Sequence, residues 1–250
     1  MIGVSAIYPL LAKGKRQKLE DYVYPLSNKF SLDDRIFIVC DGVGGENKGE
    51  VASQIVAETV GNVLNKINGI LSKAHIQQAV LTATDNLKNF INLHPEAEKM
   101  STTFTMAHIG ECEVLLAWCG DSKIYHIRGS QIIWKSKDHS LVQHLLDNGE
   151  ITADEVYTHP NRNIILRSIS VRTEVDQISF QRLSEVEEGD YILLATDGLF
   201  EQVNDSNLTE ILNHHNPDKS SLFYQCCEGK TNDNYAMYLL RIGLADPLKG

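Results

Sequence analysis

Apolar positions along the chain follow two rhythms. Short β-branched and aromatic runs at 2–11, 35–40, 114–119, 123–127, 131–134, 177–183, 191–196 and 235–242 have the length and composition of strands. Between 49 and 67, Val51, Ile55, Val56, Val60, Val63, Leu64 and Ile67 fall on one stripe, which predicts an amphipathic helix. The stretch 75–93 repeats the pattern with Ile76, Val80, Ala83, Leu87, Phe90 and Ile91, and Gly69 breaks the chain between the two. Both stripes read as core, each covering a sheet. Arg128-Gly129-Ser130 predicts a three-residue hairpin connection between neighbouring strands. Thr152 with Glu155 forms a capping-box pattern that opens a short helix, and 140–148 before Gly149 reads as another. These two brief helices lie on a polar segment that departs from the sheets.

No linker or repeat interrupts this order, so one domain over 1–250 is expected, a size that a single core still sustains. Hydrophobic residues at 42% and charged residues at 22% are ordinary globular values. A net charge of −10 excludes a nucleic-acid partner held by a basic patch and attraction to anionic lipid. Cys40, Cys112, Cys119, Cys226 and Cys227 are odd in number and contain no C-x-x-C pair, so neither a disulfide framework nor a zinc site is indicated. Cys40 and Cys119 read as small buried hydrophobes. The apolar run at 2–11 precedes Lys13, Lys15 and Arg16, the wrong order for a secretory signal, and no run is long enough to span a bilayer. A cytoplasmic, reducing location is the expectation.

Asp21, Asp41, Asp121, Asp197 and Asp233 each stand at the boundary of a strand-like run. In antiparallel pairs the end of one strand lies beside the start of the next, so these carboxylates can converge on one edge of a sheet. Such a cluster repels itself unless cations are present. Its oxygen-only donors favour magnesium, manganese or calcium over zinc. In Asp41-Gly42-Val43-Gly44-Gly45 the glycines let the backbone turn sharply and a main-chain carbonyl face a metal. Taken singly, Asp41-Gly42 and Asp197-Gly198 are ordinary turn dipeptides. The inference rests on the whole set.

The order of these pieces resembles the metal-dependent, type 2C family of protein serine/threonine phosphatases over nearly the whole chain, in its bacterial single-domain form. The matching residues are Arg16 with Glu20-Asp21-Tyr22, Asp41 to Gly45 with Gly49-Glu50-Val51-Ala52-Ser53, and Ser101-Thr102-Thr103. Gly120-Asp121-Ser122-Lys123-Ile124-Tyr125, Asp138-His139-Ser140, Thr196-Asp197-Gly198-Leu199 and Asp233-Asn234 complete the set. The resemblance implies an α+β fold, a four-layer α-β-β-α sandwich of two antiparallel sheets flanked by helices. It implies two Mn2+ or Mg2+ ions held by Asp21, Asp41, the Gly42 carbonyl, Asp197 and Asp233. Asp121 matches the position of a third, weaker ion, Glu201 a neighbour of that site, and Glu20 an outer-shell position. Arg16 corresponds to a phosphate-binding arginine, whose fork suits phosphate oxygens. Arg16, Asp41 and Asp197 are therefore the catalytic candidates. The implied reaction is hydrolysis of phosphoserine and phosphothreonine proteins by a metal-activated water, opposing a serine/threonine kinase, in a monomer without nucleic-acid or membrane partners.

Several positions depart from the family pattern. Val43 replaces a histidine of some relatives and cannot give the leaving group a proton, a role that would then fall to metal-bound water. Leu19, Glu46, Ser170 and Ala236 replace an asparagine, a histidine, a glycine and a threonine. The segment 145–169 corresponds to a flap near the family's active site and is expected to influence selectivity. His139 reads as a residue that holds a turn or caps a helix. Two rival readings fit the same residues. A noncatalytic binding member of the fold would lack manganese-dependent activity, and a nuclease or other phosphodiesterase would cleave phosphodiesters.

Overall fold

Strands that read as unbroken apolar runs are buried on both faces, because three apolar layers run through the molecule. The computed structural model describes residues 1–43, 48–129 and 131–244, the Tyr157 side chain excepted. Gly44, Gly45, Glu46 and Ser130 of the motifs above lie outside the described residues. The elements are β1 (Ile2–Ala12), β2 (Tyr22–Tyr24), β3 (Ile36–Cys40), β4 (Gly42–Val43), α1 (Gly49–Leu64), α2 (Lys73–Leu93), β5 (Ser101–Thr102) and β6 (Phe104–Ile109). There follow β7 (Val114–Cys119), β8 (Lys123–Arg128), β9 (Gln131–Lys135), α3 (Leu141–Asp147), α4 (Ala153–Thr158), β10 (Ser179–Leu183), β11 (Tyr191–Ala195), α5 (Asp205–Asn213), α6 (Lys219–Cys227) and β12 (Tyr235–Leu244).

One sheet has the order β1-β12-β11-β8-β9 and the other β10-β7-β6-β3-β2, with every named pairing antiparallel. Side chains alternate between layers as the strand period of two requires. On β12, Ala236, Tyr238, Leu240 and Ile242 enter the core between the sheets, while Tyr235, Met237 and Leu239 face α5 and α6 with Leu208, Leu212 and Phe223. On β3, Phe37 and Val39 face the inter-sheet core, and Ile36, Ile38 and Cys40 pack under α1 and α2. The α-β-β-α sandwich is thus the observed architecture. The helix stripes are core, as read, and Cys40 and Cys119 are buried free thiols.

Local signals act at the element ends. Ser72 caps α2 by accepting from the His75 N–H, and Thr152 opens α4 with the Glu155 capping box. The helix over 49–67 stops at Leu64, and the segment from 177 begins with a 3-10 turn before β10. Arg128 pairs with Gln131, so it belongs to β8 and the hairpin connection is shorter than the three residues expected. The strand β6 and the helices α5 and α6 are additions that the apolar pattern did not reveal.

Candidate metal centre

Strand register gathers the five aspartates. Tyr22 pairs with Cys40, so Asp21 just before β2 lies beside Asp41 just after β3. Ala195, the last residue of β11, pairs with Lys123 on one side and Met237 on the other, which brings Asp121, Asp197 and Asp233 to the same end of the second sheet. The expected convergence on one edge of a sheet is therefore corrected. The acids meet at the common end of two sheets, and Asp121 sits where the chain crosses from one to the other between β7 and β8.

Each acid is held by neighbours. The Asp41 N–H donates to Thr103 Oγ1 at 2.9 Å, and the Asp41 carbonyl accepts from Thr102 Oγ1 at 2.7 Å and the Thr103 N–H at 2.8 Å. Thr103 Oγ1 in turn shares a 2.7 Å bond with Ser122 Oγ, next to Asp121. Thr196 Oγ1 donates to Asp21 Oδ2 at 2.9 Å and accepts from the Ala236 N–H at 2.9 Å. Asn234 accepts from the Glu20 N–H at 2.7 Å and donates to the Lys13 and Lys18 carbonyls at 2.8 and 2.9 Å, pinning both ends of the segment that carries Arg16. Glycine is obligatory at two close approaches. A Cβ on Gly198 would fall 1.9 Å from the Asn234 carbonyl oxygen, and one on Gly42 would fall 2.3 Å from that of Gly49. The Gly42 N–H donates to the Glu20 carbonyl at 3.1 Å, and its own carbonyl packs against Gly49.

The electrostatics are those of crowded like charge. Burial, then Asp197, Asp233 and Glu20, hold the Asp21 carboxyl well above the usual range, against a lowering bond from Thr196. Burial and the charges of Asp21, Asp197, Asp121 and Asp233 do the same to Asp41. Asp121 is pushed up to about 7 by burial and by Asp197 and Asp138, and its Oδ1 is a buried oxygen without a hydrogen-bond partner. Asp197 opens to solvent on one side, yet the surrounding protein and Asp233 still raise its carboxyl. The charges of Asp41 and Asp197 act on one another across the site, that of Asp197 adding to the upward push on Asp41. Arg16 Nη2 donates to Asp233 Oδ2 at 2.7 Å, and the guanidinium remains about half exposed.

Among the described residues, no three acidic, histidine or cysteine side chains close on one point as a finished cation cage. Asp21 is turned to Thr196 and Asp233 to Arg16. The donor chemistry nevertheless fits divalent cations: the set is all oxygen and mutually repelling, with Asp21 and Asp121 buried, Asp41 and Asp233 half-buried, and one orphaned oxygen on Asp121. Hard cations would relieve that repulsion.

Other sequence-derived positions are placed as follows. Glu201 is engaged by Asn232, its Oε2 accepting from the Asn232 N–H at 2.8 Å. Glu20 has a buried Oε1 without a partner, and burial with Glu50 raises its carboxyl. His139 Nδ1 accepts from the Gly120 N–H at 3.2 Å and its Nε2 bonds Ser179 Oγ at 2.9 Å, so it holds the turn before Asp121, while Ser140 caps α3. Val43 lies in the short β4–β5 ribbon opposite Ser101. Ala236 contributes its backbone to Thr196 and its side chain to the inter-sheet core, which explains how alanine serves there. Thr196, Asn234, Thr103 and Ser122 are the supporting residues whose role sequence reasoning missed. The available signal was a small hydroxyl or amide residue adjoining three of the aspartates, Ser122 at Asp121, Thr196 at Asp197 and Asn234 at Asp233.

Comparison with known proteins completes the picture. The protein phosphatase 2C family profile matches residues 17–228, which leaves Arg16 and Asp233 just outside although they bond to each other at the site. The serine/threonine phosphatase stp of Listeria monocytogenes is 31% identical over 181 residues, 71% of this chain and 71% of that protein. The solved structure of serine/threonine phosphatase Stp1 from Staphylococcus aureus superposes with a TM-score of 0.84 at 27% identity, covering 96% of this chain and 95% of that one. The catalytic domain of PstP, solved in complex with two manganese ions, gives 0.82 at 25% identity over 97% and 99%. The strand-end acids, the sandwich and these matches agree: the chain belongs to the protein phosphatase 2C family and is a serine/threonine protein phosphatase.

Proposed function

We propose that this chain removes phosphate from phosphoserine and phosphothreonine in proteins by direct attack of water on phosphorus, with no covalent phosphoenzyme. The observation that carries this reading is the convergence of Asp21, Asp41, Asp121, Asp197 and Asp233 at one end of both sheets, with Arg16 beside them. Two Mn2+ or Mg2+ ions on Asp21, Asp41, the Gly42 carbonyl, Asp197 and Asp233, with a weaker third at Asp121, would supply charge that acidifies water and offsets charge on the phosphoryl group. The two manganese ions of the PstP domain support this assignment.

The chain's own residues do the positioning. Arg16 is anchored through Nη2 to Asp233, and its half-exposed guanidinium keeps further N–H groups to bind phosphate oxygens. Asp41 and Asp197, whose carboxyls burial and neighbouring charge hold above the usual range, would act as ligands in their carboxylate form. Thr103 fixes the Asp41 backbone and Thr196 holds the Asp21 carboxyl, so that only side-chain turns would accompany binding. Val43 offers no proton, so the departing serine or threonine oxygen takes one from water. Residues 1–250 act together as one domain and as a monomer, opposing a serine/threonine kinase that makes the ester. The test is stereochemical: hydrolysis of a substrate chiral at phosphorus should invert configuration, whereas retention would show two displacements and a covalent intermediate.

A further inference from the structure

A cleft of about 510 Å3 opens next to the metal centre. Asp138 on its wall is ion-paired with Lys123, two residues from Asp121, and His139 on its floor holds the Gly120 turn. The chain's two tryptophans, Trp118 and Trp134, both line it, packed edge to face with centroids 5.6 Å apart. Most charges in the cleft are already matched. Lys135 binds Asp205 at 3.0 Å, Lys137 binds Asp147 at 2.9 Å, and Asp138 binds Lys123. Arg167 is the exception: it is exposed and, among the described residues, makes no hydrogen bond or ion pair. A chain of net charge −10 thus carries an unmatched guanidinium in a polar cleft walled by indole, beside the place where a phosphoresidue would sit.

We propose that this cleft binds the stretch of substrate polypeptide flanking the phosphoresidue and that Arg167 selects an acidic side chain in that stretch. The inference rests on the phosphatase reading above and adds a substrate class to it. A planar guanidinium matches a carboxylate in two parallel hydrogen bonds, and the half-buried Trp134 indole, backed by the buried Trp118, gives an extended peptide an apolar surface to lie on. Overall charge works in the opposite direction, since an acidic chain repels acidic peptides. A preference for acid must therefore come from a local group.

The experiment compares a phosphothreonine peptide flanked on both sides by glutamate with its glutamine counterpart, in manganese at low ionic strength. The native chain should show kcat/KM about fivefold higher for the glutamate peptide, the size of one partly exposed guanidinium–carboxylate contact. Arg167→Gln should bring the ratio to one or below, and Arg167→Glu should reverse it. Non-hydrolysable phosphonate forms of the two peptides provide a readout apart from turnover, because both tryptophans report on the cleft. Only the native chain should bind the glutamate phosphonate more tightly by fluorescence. A native ratio of one, or a ratio unchanged in Arg167→Gln, overturns the inference. Hydrolysis of p-nitrophenyl phosphate separates the two levels: if the native chain performs it while the ratio fails, the cleft assignment alone falls, and if the native chain does not perform it, the phosphatase reading falls too.

Discussion

Asn234 is the amide on which the geometry of Arg16 depends, and its removal has a calculable cost. The side chain is 4% exposed and makes three hydrogen bonds, to the Glu20 N–H and to the Lys13 and Lys18 carbonyls. Asn234→Ala leaves one buried donor and two acceptors without partners, at about 1 kcal/mol each, or about 3 kcal/mol in total. For a chain of this size that loss lowers Tm by about 6–12 °C. Thermal and urea unfolding in chelator isolate the structural effect from cations. Asn234→Asp keeps the acceptor for Glu20 and loses both donors, so it should fall between the native chain and the alanine variant unless charge beside Asp233 adds to the penalty. In manganese, at a temperature where the variant is folded, kcat/KM should still fall at least tenfold, because the segment 13–20 no longer holds Arg16 against Asp233. A stability loss below about 0.5 kcal/mol would refute the account of this clamp.

Further expectations follow from other contacts. Gly198→Ala drives a methyl into the Asn234 carbonyl and should cost more than about 4 kcal/mol or abolish soluble expression, as measured by unfolding or yield. Asp190 is 1% exposed, and although burial pushes its carboxyl up, bonds from Arg128, the Glu187 N–H and His126 bring it below the usual range. A folded value below the unfolded one gives stability that is full above the unfolded pKa of about 4 and is lost as pH falls through the folded value. The destabilisation by Asp190→Asn should therefore be larger at pH 7 than at pH 3, and a constant difference would oppose the assignment. Val43→His should reduce the dependence of rate on leaving-group pKa across a series of aryl and alkyl phosphates, whereas an unchanged slope would place proton delivery elsewhere.

The legible parts of the fold were those where burial on one or both faces writes itself into composition. Runs such as that of β11 and the stripes of α1 and α2 are apolar because an entire layer covers them. The strand β6 was hidden because Thr105 and His108 interrupt its apolar run, and burial of Thr105 becomes intelligible only once its Oγ1 is seen donating to the Val39 carbonyl. Helices α5 and α6 are short and largely polar, and they owe their stability to packing on β12 and β1 and to the Asn204 and Asp218 caps. At the site, the strand-end aspartates were visible as a set, but their meeting between two sheets depends on pairing register that no local pattern encodes. Arg16 and Asp233 illustrate the same limit: they are 217 residues apart in the chain and bonded in the structure.

The most direct test of the central claim is hydrolysis of a phosphothreonine peptide in manganese, in magnesium and after chelation, for the native chain, Asp41→Asn and Asp197→Asn. The account predicts activity in the native chain that chelation removes and manganese restores, with kcat lowered by at least a hundredfold in both variants. A native chain that is folded and loaded with metal yet inactive, or variants that retain native turnover, would contradict it.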